Sequence, residues 1–264
     1  MKKIILLLIA SLGTIPVSQP LDASQLRKHV KYQAADEREG RDTVTRGEIK
    51  TTHEVKIVGQ MKDVMWKGQL QGTIHLDTIA NKTHLYGLGP VEYLTGEILI
   101  LDGQSYKSTV VSETAMRVEK TYDLKAPFFG YATITQWSKQ ALPDYVQTIP
   151  QLDQYLDQQT NNSPHPYLFK LSGTIEEATI HIVNLPKGSK VSSPAEAHQG
   201  QQNYGLTNEQ ADIVGFFSTE HKAIFTHHDT YVHMHLITKD RQKMGHLDEV
   251  RFKKGGTKLY LPTE

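Results

Sequence analysis

The 264-residue sequence contains no cysteine. That absence excludes disulfide bonds, a thiolate nucleophile and thiolate zinc ligands. Stability must come from a packed core, a bound ligand or association, and any metal site must be built from His, Asp and Glu. Net charge is lacking too, because 29 Lys and Arg meet 29 Asp and Glu. No basic patch is interleaved with aromatics, so a nucleic-acid partner is set aside. Nor is there an apolar run near the roughly 20 residues that span a bilayer. The nearest approach, Ile4 to Ala10, follows two lysines and precedes small and polar residues near Ser18. That is the layout of a secretory signal peptide, expected over residues 1–19. It implies export to the periplasm or the exterior, with no stable membrane insertion after cleavage. No cysteine follows the run, which excludes a lipid anchor; an uncleaved apolar anchor is the alternative.

Sustained helical periodicity is also scarce. Residues 20–52 are polar and charge-mixed without a period of either kind, and are expected to be a lead-in. From HEVKIVG onward the chain reads as strands. Asp102-Gly103 within GEILILDGQSYKS is a strong two-residue hairpin signal, and YATITQW alternates in the same way. The best helix is TIPQLDQYLDQQT, where Thr148 can cap, Pro150 sits in the first turn, and Leu152 and Leu156 share a face. PYLFKLSGTIEEATIHIV predicts two strands with a turn near Ser172-Gly173, and SSPAEAHQGQQNYGLTN predicts a loop. ADIVGFFST, TYVHMHLIT, HLDEVRF and TKLYL then follow as short strands suited to a barrel or sandwich. The length allows one substantial core or two modest lobes. The division expected is a lobe at 53–160 and a second at 161–264.

The richest chemistry lies in YVHMHLITKDRQKMGH. On a strand, His233 and His235 point to one side while Val232, Met234 and Leu236 point to the other. TKDRQKMG is turn-like and would return a neighbouring strand near His246, so a third imidazole could converge on the first two. Three imidazoles leaving one open position is the general plan of a catalytic Zn²⁺ site. Spacing alone fits a half-buried polar pair equally well in a chain of 13 histidines, with His221, His227 and His228 close by.

The segment GFFSTEHKAIFTHHDTYVHMHLITKDRQKMGHLDEV resembles the metal-binding region of the acetolactate decarboxylase family. In both, ten residues separate the second and third histidines, so the resemblance implies His233, His235 and His246 as Zn²⁺ ligands. YGLGPVEYLTGEILILDGQSY resembles the family's G-L-G…D-G-E-M-I segment and places Glu97 on its active-site glutamate. KAPFFGYATITQW and PYLFKLSGTI occur in the expected order, so the likeness runs from about Glu54 to Pro262. It implies an α+β, mainly β fold: an N-terminal mixed β-sheet lobe with helices and a C-terminal β-barrel lobe carrying the metal site. Family members commonly pair, which implies a homodimer.

The implied activity is conversion of 2-acetolactate, a small anion, to acetoin and CO₂, with Glu97 as acid/base. An exposed strand carboxylate is the alternative for Glu97. Where the family holds the substrate carboxylate with an arginine, this chain has His181, which lacks the bidentate fork and permanent charge of a guanidinium. A surface strand histidine is its alternative. Pro90 stands where the family has a threonine, and no tail glutamate is assigned to Glu264. These departures keep two further readings open. One is the same fold and metal acting on another small 2-hydroxy-3-oxo acid. The other is a secreted, non-catalytic metal-binding protein.

Overall fold

The computed structural model describes residues 54–159, 166–222, 224–226 and 230–263. The signal peptide and lead-in expected from the sequence, and His227 and His228, lie outside them. The described chain is mostly β with few helices, as expected.

The first sheet has six strands in the order β1-β8-β3-β4-β5-β6: β1 is Lys56–Val58, β3 Leu85–Pro90, β4 Glu97–Leu101, β5 Gln104–Val110, β6 Met116–Lys120 and β8 Phe129–Thr133. Expected to be mixed, it is antiparallel at every pairing. The tight connections from β3 to β6 permit nothing else there, since a parallel pair needs a crossover of a dozen residues or more. The Asp102-Gly103 turn has both residues at positive φ, 48° and 76°, the geometry that joins strands through a two-residue loop. Helix α1, Met61–Lys67, follows β1 and ends at Gly68, whose φ of 62° makes a left-handed cap. Two-residue strands β2 (Ile74–His75) and β7 (Lys125–Ala126) pair beside it.

The chain leaves the first sheet after Thr133 and enters the second at β9, Trp137–Ala141. This change of sheet falls earlier than the 160/161 division drawn on the sequence. The helix expected next, α2, spans Ile149–Gln159. Gln151 Oε1 accepts from the backbone N–H of Gln147 and of Thr148, 2.8 and 3.1 Å away. The cap is therefore a side chain reaching back from within the helix, with Thr148 as its target. Leu152 and Leu156 are buried on one face, packed against the second sheet.

Three sequence readings change in the second sheet. Tyr167–Ile182 is one strand, β10, not two with a turn. Its register slips near Gly173, where an added Cβ would collide with the Gly256 carbonyl. The glycine marks a close approach between strands, not a reversal. The expected loop after it contains a short helix, α3 (Pro194–Ala197), capped by Ser193. Its last residues already belong to β11, Gln202–Phe217. HLDEVRF and TKLYL form one strand, β13, Met244–Pro262.

Strand β12, Val232–Thr238, lies between β11 and β13. β13 also pairs with β10, so the pairings of these four strands return to their start. Every residue of β12 is buried, and its two faces meet different neighbours. Val232, Met234 and Leu236 join a core with α2 and β10. On the opposite face Ile237 packs with Leu88 and Leu99 of the first sheet. His233 and His235 share the face of Ile237, so they look toward the first sheet.

Candidate active site

The hairpin expected from YVHMHLITKDRQKMGH forms as read. His235 and His246 are direct partners across β12 and β13, and His246 is in turn the partner of His181 on β10. Three imidazoles thus lie in a row across three strands, with His233 two residues along from His235. Ring centroids of His233, His235 and His246 are 5.2 to 5.6 Å apart. His181 stacks 4.6 Å from His246 with ring planes tilted 30°. Gly245 permits this close row, because a Cβ there would collide with the His181 carbonyl.

Glu97 enters from the first sheet. It begins β4 opposite Pro90 and is 3% exposed, while His181 is 6% exposed. Neither is the surface strand residue that was its alternative. Glu97 Oε1 accepts from Val183 N–H at 3.2 Å and lies 4.0 Å from His181 Nε2. Its other oxygen lies 3.6 Å from His235 Nε2. Burial pushes the Glu97 carboxyl well above the ordinary range, against the pull of the Val183 N–H and with a further push from Asp248. Magnitudes explain the direction: burying a carboxylate costs several kcal/mol, and one charge-assisted hydrogen bond returns about 1.5–3 kcal/mol. Such a carboxylate holds a proton unless a cation compensates it.

Asp248 was not singled out in the sequence, although it lies two residues beyond His246 and so shares its strand face. Its carboxylate accepts from His181 Nδ1 at 2.8 Å through both oxygens and from His246 Nδ1 at 3.0 Å. The β10–β13 register shifts beside it, with His181 opposite His246 but Thr179 opposite Glu249. That irregularity re-aims the side chain toward the two rings. Burial would raise the Asp248 carboxyl, but the hydrogen bonds from His181 and His246 win and hold it well below the usual range. His233 Nδ1 lies 3.0 Å from the Phe225 carbonyl. A carbonyl can only accept, so Nδ1 carries the proton and Nε2 the lone pair. Phe225 reaches this position over Gly130, where a Cβ would collide with its ring.

Among the described residues, one donor set has ligand atoms close enough together to hold a metal as they stand, and it is not the set expected from the sequence. The ligand atoms of His181, His246 and Asp248 come within 4.8 Å of one another. This trio is already satisfied internally, with both imidazole Nδ1 atoms spent on one carboxylate. The set read from the sequence is His233, His235 and His246. His235 is fully buried, and its Nε2 has no hydrogen-bond partner. Burial, then the neighbouring His246 and His181, hold this imidazole well below its ordinary value, so it keeps a lone pair. A buried acceptor without a donor costs about 1–3 kcal/mol. A metal ion at His235 would compensate that cost, and Asp248 would then stand as the partner behind the His246 Nδ1–H.

Four of the groups described above, Glu97, His181, His233 and His246, open onto a cavity of about 400 Å³. Glu97, His181, His233 and His246 form its polar floor. Met61, Met65 and Trp66 of α1, Phe128 and Pro194 of α3 form an apolar wall, with Pro90 and Val183 also lining it. Among the described residues, Lys62 is the one lysine or arginine lining the cavity. His198 lines it too, its ring 6.0 Å from that of His181. None of the α1 residues was found from sequence; the signal available was the Met61/Met65 spacing ahead of Gly68.

The sequence profile described as Alpha-acetolactate decarboxylase matches residues 58–261. An alpha-acetolactate decarboxylase of Brevibacillus brevis is 25% identical over 186 residues, covering 70% of this chain and 62% of the relative. The chain therefore spans somewhat under two thirds of that relative's length. One from Lactococcus lactis strain IL1403 is 23% identical over 185 residues, 68% of this chain and 72% of the relative. Among solved structures, acetolactate decarboxylase from Bacillus subtilis subspecies spizizenii superposes with a TM-score of 0.64 at 19% identity, covering 80% of this chain and 86% of that one. A Staphylococcus aureus protein of unknown function, similar to alpha-acetolactate decarboxylase, gives 0.65 at 16% identity, with the same coverage. At these identities the superpositions speak for the fold, while the profile match spans most of the described chain. The chain belongs to the alpha-acetolactate decarboxylase family.

Proposed function

We propose that the protein decarboxylates 2-acetolactate to acetoin and CO₂, with Zn²⁺ held by His233, His235 and His246. One observation carries this reading: imidazoles from one sheet and the Glu97 carboxyl from the other meet at one cavity, lined by Glu97, His181, His233 and His246, with His235 Nε2 behind it 3.6 Å from Glu97 Oε2. In the reaction the bond to the carboxylate breaks and CO₂ leaves. The bonding electron pair passes toward the ketone, and a proton must arrive at the carbon that carried the carboxylate. Bound Zn²⁺ would supply Lewis-acid stabilisation of the negative charge that develops on oxygen.

The remaining roles belong to the chain. Glu97 is the proton carrier, a carboxyl whose hold on a proton is strengthened by burial and which is steadied at Oε1 by Val183 N–H. Lys62 at the cavity wall attracts the substrate carboxylate electrostatically. His181, fixed by Asp248, presents its other ring nitrogen toward Glu97 and orients the substrate in place of the family's arginine. Phe128 and the methionines of α1 exclude water from the floor.

The test is acetoin release from racemic 2-acetolactate by protein stripped of metal and reloaded with one equivalent of Zn²⁺. Turnover that a chelator abolishes supports the reading; no acetoin from the loaded protein defeats it. A second reading, another small 2-hydroxy-3-oxo acid as substrate, is favoured by Pro90 and His181. Both line the cavity where the resemblance implies a threonine and an arginine. Export rests on the lysines and apolar run at the N-terminus. It is checked by sequencing the N-terminus of protein recovered outside the cytoplasm, where the expected species lacks residues 1–19.

A further inference from the structure

The cavity is larger and more apolar than 2-acetolactate requires. That anion has about nine non-hydrogen atoms, which at interior packing density fill roughly 150–180 Å³. The cavity holds about 400 Å³, so more than half of it would remain. Apart from the floor, Lys62 and His198, the lining is apolar. Helix α1 turns Met61, Met65 and Trp66 to the cavity, and Phe128 and Pro194 complete the wall.

Part of this surface is structural, since Met61 and Met65 pack against the cluster of Val64, Phe128, Val183, Leu185 and Val191 that seats the helix. Trp66, on the cavity side, is 60% exposed. An exposed indole beside the half-buried Met61 and Met65 at the cavity rim has the character of a binding surface. Methionine side chains adapt to varied apolar shapes, and the wall is continuous with the floor that carries Glu97 and His181.

We propose that the α1 wall receives an apolar substituent larger than methyl, so that the preferred substrates are 2-hydroxy-3-oxo acids bearing a longer alkyl or an aromatic group. This rests on the decarboxylase reading and adds to it the substrate's second half. The bond broken and the proton delivered are unchanged; the added group binds and does not react.

The experiment uses the full-length, zinc-loaded protein. Release of CO₂ is followed from 2-acetolactate and from homologues in which one methyl is replaced by ethyl, butyl or benzyl, at C2 and separately at the acyl end. Each methylene buried against the wall is worth about fourfold. The expected result is kcat/KM rising at least tenfold from methyl to butyl or benzyl in one of the two series. Trp66→Ala and Met65→Ser should each cut the ratio of long-chain to methyl kcat/KM by about fivefold or more. Tyr145→Ala, at an exposed ring away from the cavity, serves as the control and should leave that ratio alone. A flat or falling profile in both series, with 2-acetolactate turned over, overturns this inference and leaves the decarboxylase reading standing. A rising profile that neither wall variant alters also overturns it. No CO₂ from any member defeats the decarboxylase reading itself.

Discussion

The hairpin of β12 and β13 carries buried polar groups at both ends, and the two ends solve the same problem differently. At the turn, Asp212 is buried against Lys239 Nζ at 2.6 Å and Arg241 at 3.1 Å. Burial would raise its carboxyl, but these hydrogen bonds and charges outweigh it and hold the group low. At the other end, Glu97 and His235 are each pushed toward their neutral forms, and His235 Nε2 has no hydrogen-bond partner. One cluster closes on itself, as structural ion pairs do. The other leaves a buried valence unmet beside a cavity that Glu97 lines, the arrangement expected of a site that completes itself with something bound.

The strongest way to break this contrast is to remove a group that only the open end needs. His235→Ala should lose stoichiometric Zn²⁺, read by metal analysis after dialysis, and bring acetoin formation to background. Glu97→Gln keeps the shape of the carboxyl and removes the proton carrier. It should retain zinc and lose about 10²–10⁴-fold in kcat, the usual worth of positioned acid–base catalysis. A Glu97→Gln protein of full activity would remove Glu97 from the mechanism.

Asp248 sharpens the contrast between the two candidate metal sets. Asp248→Asn should weaken zinc binding by about 10–100-fold in a chelator competition, the usual effect of removing a partner behind a ligating imidazole. A direct ligand would cost far more.

The closed end gives the smallest effect. Asp212→Asn should destabilise the protein by about 1–2 kcal/mol at pH 7, measured by denaturant unfolding, with zinc content unchanged. Because the folded carboxyl is held low, its contribution is fully present above the unfolded value of about 4 and is lost as pH falls through the folded one. The difference between the parent protein and the variant should therefore shrink on acidification below pH 4. A gap that widens there would contradict the ion-pair assignment.

How legible this molecule is depends on whether its structure is local. The β12–β13 hairpin could be read because period-two alternation fixes which face carries His233 and His235, and a polar turn fixes the return to His246. Asp102-Gly103 was equally plain, since positive φ at both positions selects those residues. The long strands were not. Gly173 and the glycines near 255 read as breaks, yet they serve close strand approach and a bend within continuous strands, which depend on the partner strand. Asp248 carried a weak local signal, two residues beyond His246, but its role depends on His181 arriving from β10. The α1 wall had almost none, because seven helical residues are too short for a clear period. The Val183 N–H that steadies Glu97 had none at all, since a backbone donor has no sequence signature.

The central claim is that the metal sits among His233, His235 and His246, facing Glu97. Its most direct test is an anomalous-difference map at the zinc edge from crystals of the zinc-loaded protein. The account expects one strong peak bounded by the Nε2 atoms of these three histidines. A peak between His181, His246 and Asp248 instead, or no peak at full loading, would contradict it.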